Sequence, residues 1–122
     1  ISMPNFPNLF MLYGPNTNLG HNSIIYMIEC QVNYVISAVK AMAAGNLKTV
    51  DVKASKMDEF ADYLKARLST SVWEKECDSW YKNEAGKVTN NWPDFTYVYE
   101  QATRKVDLDD YDVSPAPNHA AE

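Results

Sequence analysis

Residues 7–31, PNLFMLYGPNTNLGHNSIIYMIECQ, constrain this 122-residue chain more than any other stretch. Leu9-Phe10-Met11-Leu12-Tyr13 is a continuous apolar run without alternation, the pattern of a short strand covered on both faces. Gly14-Pro15-Asn16 breaks it. Asn18, Gly20 and Asn22 follow, residue types that accept positive φ and close side-chain turns. Asn22 or Ser23 is placed to cap a helix running from about Ser23 to Ala43. In that helix Ile24, Ile25, Met27, Ile28, Val32, Val35, Ile36, Val39 and Met42 cover most of the circumference, and Glu29, Asn33, Ser37 and Lys40 leave one narrow polar stripe. A helix this apolar is normally buried on more than one side. A strand feeding a loop that delivers a helix N-terminus offers N–H donors and partial positive charge to an electron-rich ligand. The same pattern also serves as a plain connection, and pattern alone favours that. An orphaned apolar strand needs a partner, within the chain or across a dimer.

The rest of the chain reads as smaller pieces. Residues 1–8, with Pro4 and Pro7, form an extended lead-in, and Gly45-Asn46 supplies a left-handed cap for the long helix. Leu47 to Ala54 alternates as a half-exposed strand does. Ser55-Lys56-Met57-Asp58 has the form of a capping box opening a second, amphipathic helix, with Met57, Phe60, Ala61, Leu64 and Leu68 on one face. Asn83-Glu84-Ala85-Gly86 is turn chemistry between Ser79-Trp80-Tyr81 and Val88-Thr89, the mark of a hairpin or ordered loop. Pro93 is placed to open a short helix at its first position. The acidic run Asp107 to Asp112 then gives way to SPAPNHAAE, which has nothing to bury. The expectation is an α+β piece: one long buried helix, a second amphipathic helix, a few short strands and a short C-terminal helix. It forms a single unit over residues 1–113, with a disordered tail over 114–122.

Eleven Lys and Arg against sixteen Asp and Glu give a net charge of −5, which argues against a nucleic-acid partner. Glu29, Gln31, Asn33 and Lys40 interrupt the only candidate membrane span, and no signal-peptide pattern is present. Two cysteines do not make a disulfide framework, so Cys30 and Cys77 read as buried free thiols and the expected location is cytoplasmic. Eight tyrosines suit half-buried rings with wet hydroxyls, as in a core that meets a cofactor or another domain. His21 has no second ligand at metal spacing, since His119 lies in the tail. No metal site and no catalytic residue is assigned.

LYGPNTNLGHNSIIYMIECQ, followed by Cys77-Asp78-Ser79-Trp80-Tyr81-Lys82 and Gly86-Lys87-Val88-Thr89-Asn90-Asn91-Trp92-Pro93, resembles the C-terminal part of a flavin-dependent Baeyer–Villiger monooxygenase of the hydroxyacetophenone monooxygenase-like branch. The resemblance runs from about Pro7 to Tyr111. It implies a fragment, because the family's two GxGxxG fingerprints, its FxGxxxHxxxW signature and the arginine beside its flavin are not in this sequence. It places the 9–13 strand in the parallel sheet of an FAD domain. It further implies FAD and NADPH in the parent, a peroxyflavin that inserts oxygen beside the carbonyl of a small ketone or aldehyde, and no turnover or tight flavin binding by the fragment alone. By the same resemblance Asn18, Leu19, Gly20, His21 and Asn22 lie against the flavin, and Trp80 sits in a loop covering the nicotinamide cofactor. The turn here is Asn-Glu-Ala-Gly-Lys, whereas the better-known loop has Gly-Ala-Asn and a proline before Gly-Lys. For Trp73 and Trp92 the reading is core; for Trp80, core and cofactor cover stand level. The fragment's partner would be the remainder of its own parent chain. The competing class is a non-enzymatic, self-associating module that forms a homodimer through the apolar strand and helix. An N-hydroxylating or sulfur-oxidising flavin monooxygenase is a third, more distant reading.

Overall fold

The computed structural model describes residues 1–18, 23–71 and 82–117. Its organising element is helix α1, Ile24–Ala44. Ser23 caps it, the hydroxyl accepting from the Tyr26 N–H at 3.3 Å. At the far end the Gly45 N–H donates to the Ala41 carbonyl at 2.9 Å. The left-handed position falls on Asn46, at φ 48°, rather than on Gly45, at φ −87°. That reversal leads straight into strand β1, Leu47–Val52. Helix α2 covers Ala54–Leu68, helix α3 Thr96–Ala102, and a 3-10 turn at Leu108–Asp110 feeds strand β2, Tyr111–Pro115. The strands pair antiparallel, Val50 opposite Val113 and Val52 opposite Tyr111, with an irregularity between Leu47 and Thr49. The α+β class read from the sequence is the class that forms.

Two hydrophobic clusters lie along one side of α1. Met27 and Cys30 pack with Leu64 and Leu68 of α2, Tyr99 of α3, and Val88 and Trp92 between them. Further along, Ala38 meets Val50, Val106 and Tyr111 on the two-stranded sheet. Ala38 is fully buried, and its small side chain lets sheet and helix approach closely.

Several expectations change. The run Leu9–Tyr13 is not a strand: it is turns and irregular chain, with Leu9, Leu12 and Tyr13 exposed. Its donors go elsewhere, Leu9 N–H to the Phe6 carbonyl and Met11 N–H to the Ile1 carbonyl. A strand covered on both faces needs strands beside it, and the free edge of β1 is already taken by Asn8. The Asn8 N–H donates to the Val50 carbonyl at 2.9 Å and its Oδ1 accepts from the Val50 N–H at 3.0 Å. The long helix is buried along one side, not several, since Ile25, Val32, Ile36 and Val39 are exposed. The capping box at Ser55 does not form, because α2 starts at Ala54, with the cap at Lys53, two residues before Ser55. Pro93 precedes α3 without opening it, and Phe95 holds the cap position. The expected tail is partly sheet, since Ser114 and Pro115 belong to β2 and the Ala116 N–H donates to the Asn46 carbonyl. Trp92 is core as expected; Trp73 lies outside the described residues. Cys30 is the expected buried thiol, its ionisation pushed up chiefly by burial; Cys77 lies outside the described residues. Among the described residues no helix is long and apolar enough to cross a membrane.

Trp92 is 2% exposed, stacked on Phe60, close to Tyr63 and edge-on to Tyr99 at 5.0 Å. Trp92→Ala is expected to cost about 3–5 kcal/mol, because the contacts to both helices are lost and a cavity remains. Urea denaturation followed by far-UV circular dichroism measures it, and a loss below about 1 kcal/mol would mean that this cluster does not hold α2 and α3 to α1.

Candidate functional site

The loop before α1 is held by asparagines. Asn16 sits in the left-handed region at φ 55°, where asparagine is tolerated better than most residues. Its N–H donates to the Thr89 carbonyl at 2.9 Å, and its side-chain amide reaches the carbonyls of Val88 and Asn91. Asn18 forms a parallel bridge with Asn91. Its N–H donates to the Asn90 carbonyl and its own carbonyl accepts from the Trp92 N–H, both at 2.8 Å. The Asn18 side-chain amide donates to Asn91 Oδ1 at 2.9 Å, and the Tyr13 hydroxyl donates to Asn18 Oδ1 at 3.0 Å. Residues 13–18 are thereby tied to residues 88–92. A surface cavity of about 480 Å³ opens over this junction, lined by Met11, Tyr13, Asn18, Thr89 and Asn90 among others.

A second set of contacts lies beneath. Tyr13 is held at φ 52°, an uncommon conformation for an aromatic residue, and its N–H donates to Gln31 Oε1 at 2.7 Å. Gln31 is fully buried on α1, and its side-chain N–H₂ faces the buried Tyr99 hydroxyl without a well-formed hydrogen bond. Burial pushes the Tyr99 hydroxyl up to about 12, so it stays neutral. Asn91 is also buried, and its side-chain N–H₂ has no partner among the described residues. Orphaned donors of this kind carry a desolvation cost that a ligand or water can remove.

Asp94 anchors the far end of the 88–94 segment. It is almost fully buried, accepts from Arg67 Nε at 2.9 Å, and is further bonded by Arg67 Nη2 and by the Tyr63 hydroxyl. The hydrogen-bonded Arg67 guanidinium holds the Asp94 carboxyl below the usual carboxylate range. Nearby, the Tyr26 hydroxyl donates to Glu100 at 2.7 Å, tying the first turn of α1 to α3; that bond pushes Tyr26 up to about 12. The turn expected at Asn83–Gly86 also forms. The Gly86 N–H donates to the Asn83 carbonyl, Gly86 takes φ 73°, and Lys82 bridges Val88 antiparallel.

Of the residues assigned from the sequence, Asn18 is at the junction; Leu19, Gly20, His21, Asn22 and Trp80 lie outside the described residues. Sequence reasoning missed Gln31, Asn91 and Asp94. Gln31 carried a signal, a polar residue off the polar stripe of an apolar helix; Asp94 and Asn91 carried none beyond turn-type composition. Among the described residues no group of three or more His, Cys, Asp or Glu could hold a metal. What the junction offers is donors and shape, which suit binding more than bond making.

Similarity to known proteins gives this geometry a context. The chain is 43% identical over 114 residues to a Baeyer–Villiger monooxygenase of Pseudomonas aeruginosa, covering 92% of this chain and 22% of that protein. It is 36% identical over 116 residues to the FAD-binding monooxygenase ktnD of Aspergillus niger, covering 91% of this chain and 19% of that protein. It is also 36% identical to a Baeyer–Villiger monooxygenase of Streptomyces coelicolor, covering 92% and 22%. The chain therefore spans about a fifth of the length of the curated relatives it matches. No protein-family model matches, and neither does any solved structure.

Protonating Asp94 removes its ion pair with Arg67. Its folded pKa is depressed, so its contribution is present above the unfolded carboxylate value near pH 4 and fades as pH falls through the lower folded value. Asp94→Asn is expected to lower the urea midpoint at pH 7, with the gap to the unsubstituted chain closing toward pH 3. A gap independent of pH would show that the charge contributes nothing.

Proposed function

We propose that this chain, which belongs to the family of Baeyer–Villiger and FAD-binding monooxygenases, is the C-terminal portion of an FAD- and NADPH-dependent enzyme that inserts oxygen beside the carbonyl of a ketone or aldehyde. The observation that carries the reading is the asparagine junction, in which Asn18 is held on both backbone sides by residues 90–92.

The described residues fit one edge of a flavin. Ser23 satisfies the Tyr26 N–H and the Met27 N–H begins the helical ladder, which leaves the N–H groups of Ile24 and Ile25 without an acceptor among the described residues. They do not fit its phosphates, for which the sequence has no GxGxxG cradle. Bound there, the flavin supplies the oxygen activation. The chain's own part is to hold a helix N-terminus against the electron-rich ring edge, through Asn18, Leu19, Gly20, His21 and Asn22, and to cover the nicotinamide cofactor with Trp80. Asn18 acts by position, since its side chain is spent on Asn91 and Tyr13. The isolated chain is expected to hold no FAD tightly, because it carries only this edge. A cytoplasmic location fits the same reading.

The alternative, a self-associating module without an enzyme parent, draws on the apolar residues left exposed along α1. The two separate in the full-length protein. There the purified protein is expected to carry FAD and to oxidise NADPH faster when ketones are added, and a full-length protein without flavin would favour the module.

Asn18→Ala in that protein removes two side-chain hydrogen bonds, worth about 1 kcal/mol each, and lets the loop shift. The expected result is a severalfold lower ratio of oxygenated product to NADPH consumed, the balance appearing as hydrogen peroxide, with flavin still bound. Unchanged coupling would remove Asn18 from the site.

A further inference from the structure

The exposed side of α1 is patterned. Ile25, Glu29, Val32, Ile36, Val39 and Ala43 are all exposed and follow spacings of four, three, four, three and four, the repeat that keeps residues on one face of a helix. Ile25 is 70% exposed, Val39 55% and Ile36 45%. The seam extends about 27 Å at 1.5 Å per residue, nearly the whole helix. It lies beside the face that carries Met27, Cys30, Gln31 and Ala38 into the core, so α1 is apolar on two sides and covered on one. A stripe in which the exposed Ile25, Val32, Ile36 and Val39 surround the single charge of Glu29 is what a docking interface presents when its partner is removed.

We infer that this seam is an intramolecular docking surface, covered in the full-length protein by the part of the same polypeptide that lies outside residues 1–122. The inference rests on the reading of the chain as a portion of a longer monooxygenase. Two observations favour that occupant over a second copy of the chain. The chain spans about a fifth of the relatives it matches, which leaves four-fifths of such a polypeptide to supply a complementary surface. The seam is also not the only apolar feature left open. Leu9 and Leu12, in a run with the composition of a doubly covered strand, are 43% and 44% exposed and have no strand beside them among the described residues. An uncovered helix face and an uncovered apolar run together match the loss of a large body of the same fold. The partner surface is accordingly apolar, with a donor or cation placed to meet Glu29 in the seam.

The test is thiol accessibility in the full-length protein. Ile36→Cys and Val39→Cys are compared with Lys65→Cys on the exposed side of α2, each reacted with a maleimide, with the unsubstituted protein as the background for Cys30 and Cys77. The expected result is labelling at least tenfold slower at positions 36 and 39 than at 65 in the folded protein, independent of protein concentration, with rates converging in denaturant. Equal rates at the three positions would overturn the inference. Protection that disappears on dilution would also overturn it, by assigning the seam to a second copy. Flavin absorbance, read on the same samples, separates this outcome from the fate of the functional reading. Protected thiols without flavin keep the docking surface and sink the monooxygenase. Bound flavin with reactive thiols does the reverse.

Discussion

Trp92 is the residue on which both halves of this structure depend. Its indole fills the cluster that joins α1, α2 and α3, and its N–H donates to the Phe95 carbonyl ahead of α3. Its backbone N–H, pointing the other way, holds the Asn18 carbonyl at 2.8 Å. Core packing thus sets the position of the 88–92 segment, and that segment sets the position of residues 16–18. Asp94, gripped by Arg67 and Tyr63 two residues further on, keeps the segment from sliding along α2. The asparagine junction is therefore tied directly to the core beneath it, although it is built largely from polar side chains on connecting chain.

The helices were legible because their signals are local. Periodic apolar residues, a serine cap and an Asn after the last turn specify α1 to within a residue or so at each end, and the same holds for the apolar face of α2. Strands are less local. The Leu9–Tyr13 run has strand composition but no strand, since a ladder needs a neighbour and Asn8 has closed the available edge of β1. Conversely, β2 was hidden in an acidic run. Tyr111-Asp112-Val113-Ser114 does alternate, and Tyr111 turns inward to meet the Tyr34 hydroxyl at 2.7 Å, but Asp109, Asp110 and Asp112 made the stretch look solvated.

The candidate site shows the same division. Residue type pointed to the loop, since Asn16 and Asn18 belong to a class that tolerates unusual backbone and bonds to nearby carbonyls. Partners more than seventy residues away were not legible, because nothing in PNTN specifies that Thr89, Asn90 and Asn91 receive it. Gln31 was the nearest to a readable signal. A fully buried amide in an apolar helix needs a reason, and here it is the Tyr13 N–H, held in a left-handed conformation that a β-strand would have forbidden.

That last contact bears on why the loop has the shape it does. Tyr13 at positive φ carries a backbone cost of order 1–3 kcal/mol, which persists only where surrounding contacts over-determine it. Gln31 Oε1 supplies one such contact, Asn18 Oδ1 accepting from the Tyr13 hydroxyl supplies a second, and both belong to elements fixed by the core. Strain at Tyr13 is thereby coupled to the Asn18 position, so releasing one shifts the other. On the proposed reading that coupling sets where Asn18 lies toward the ligand. It also gives the fully buried Gln31 a role, although its N–H₂ makes no well-formed hydrogen bond.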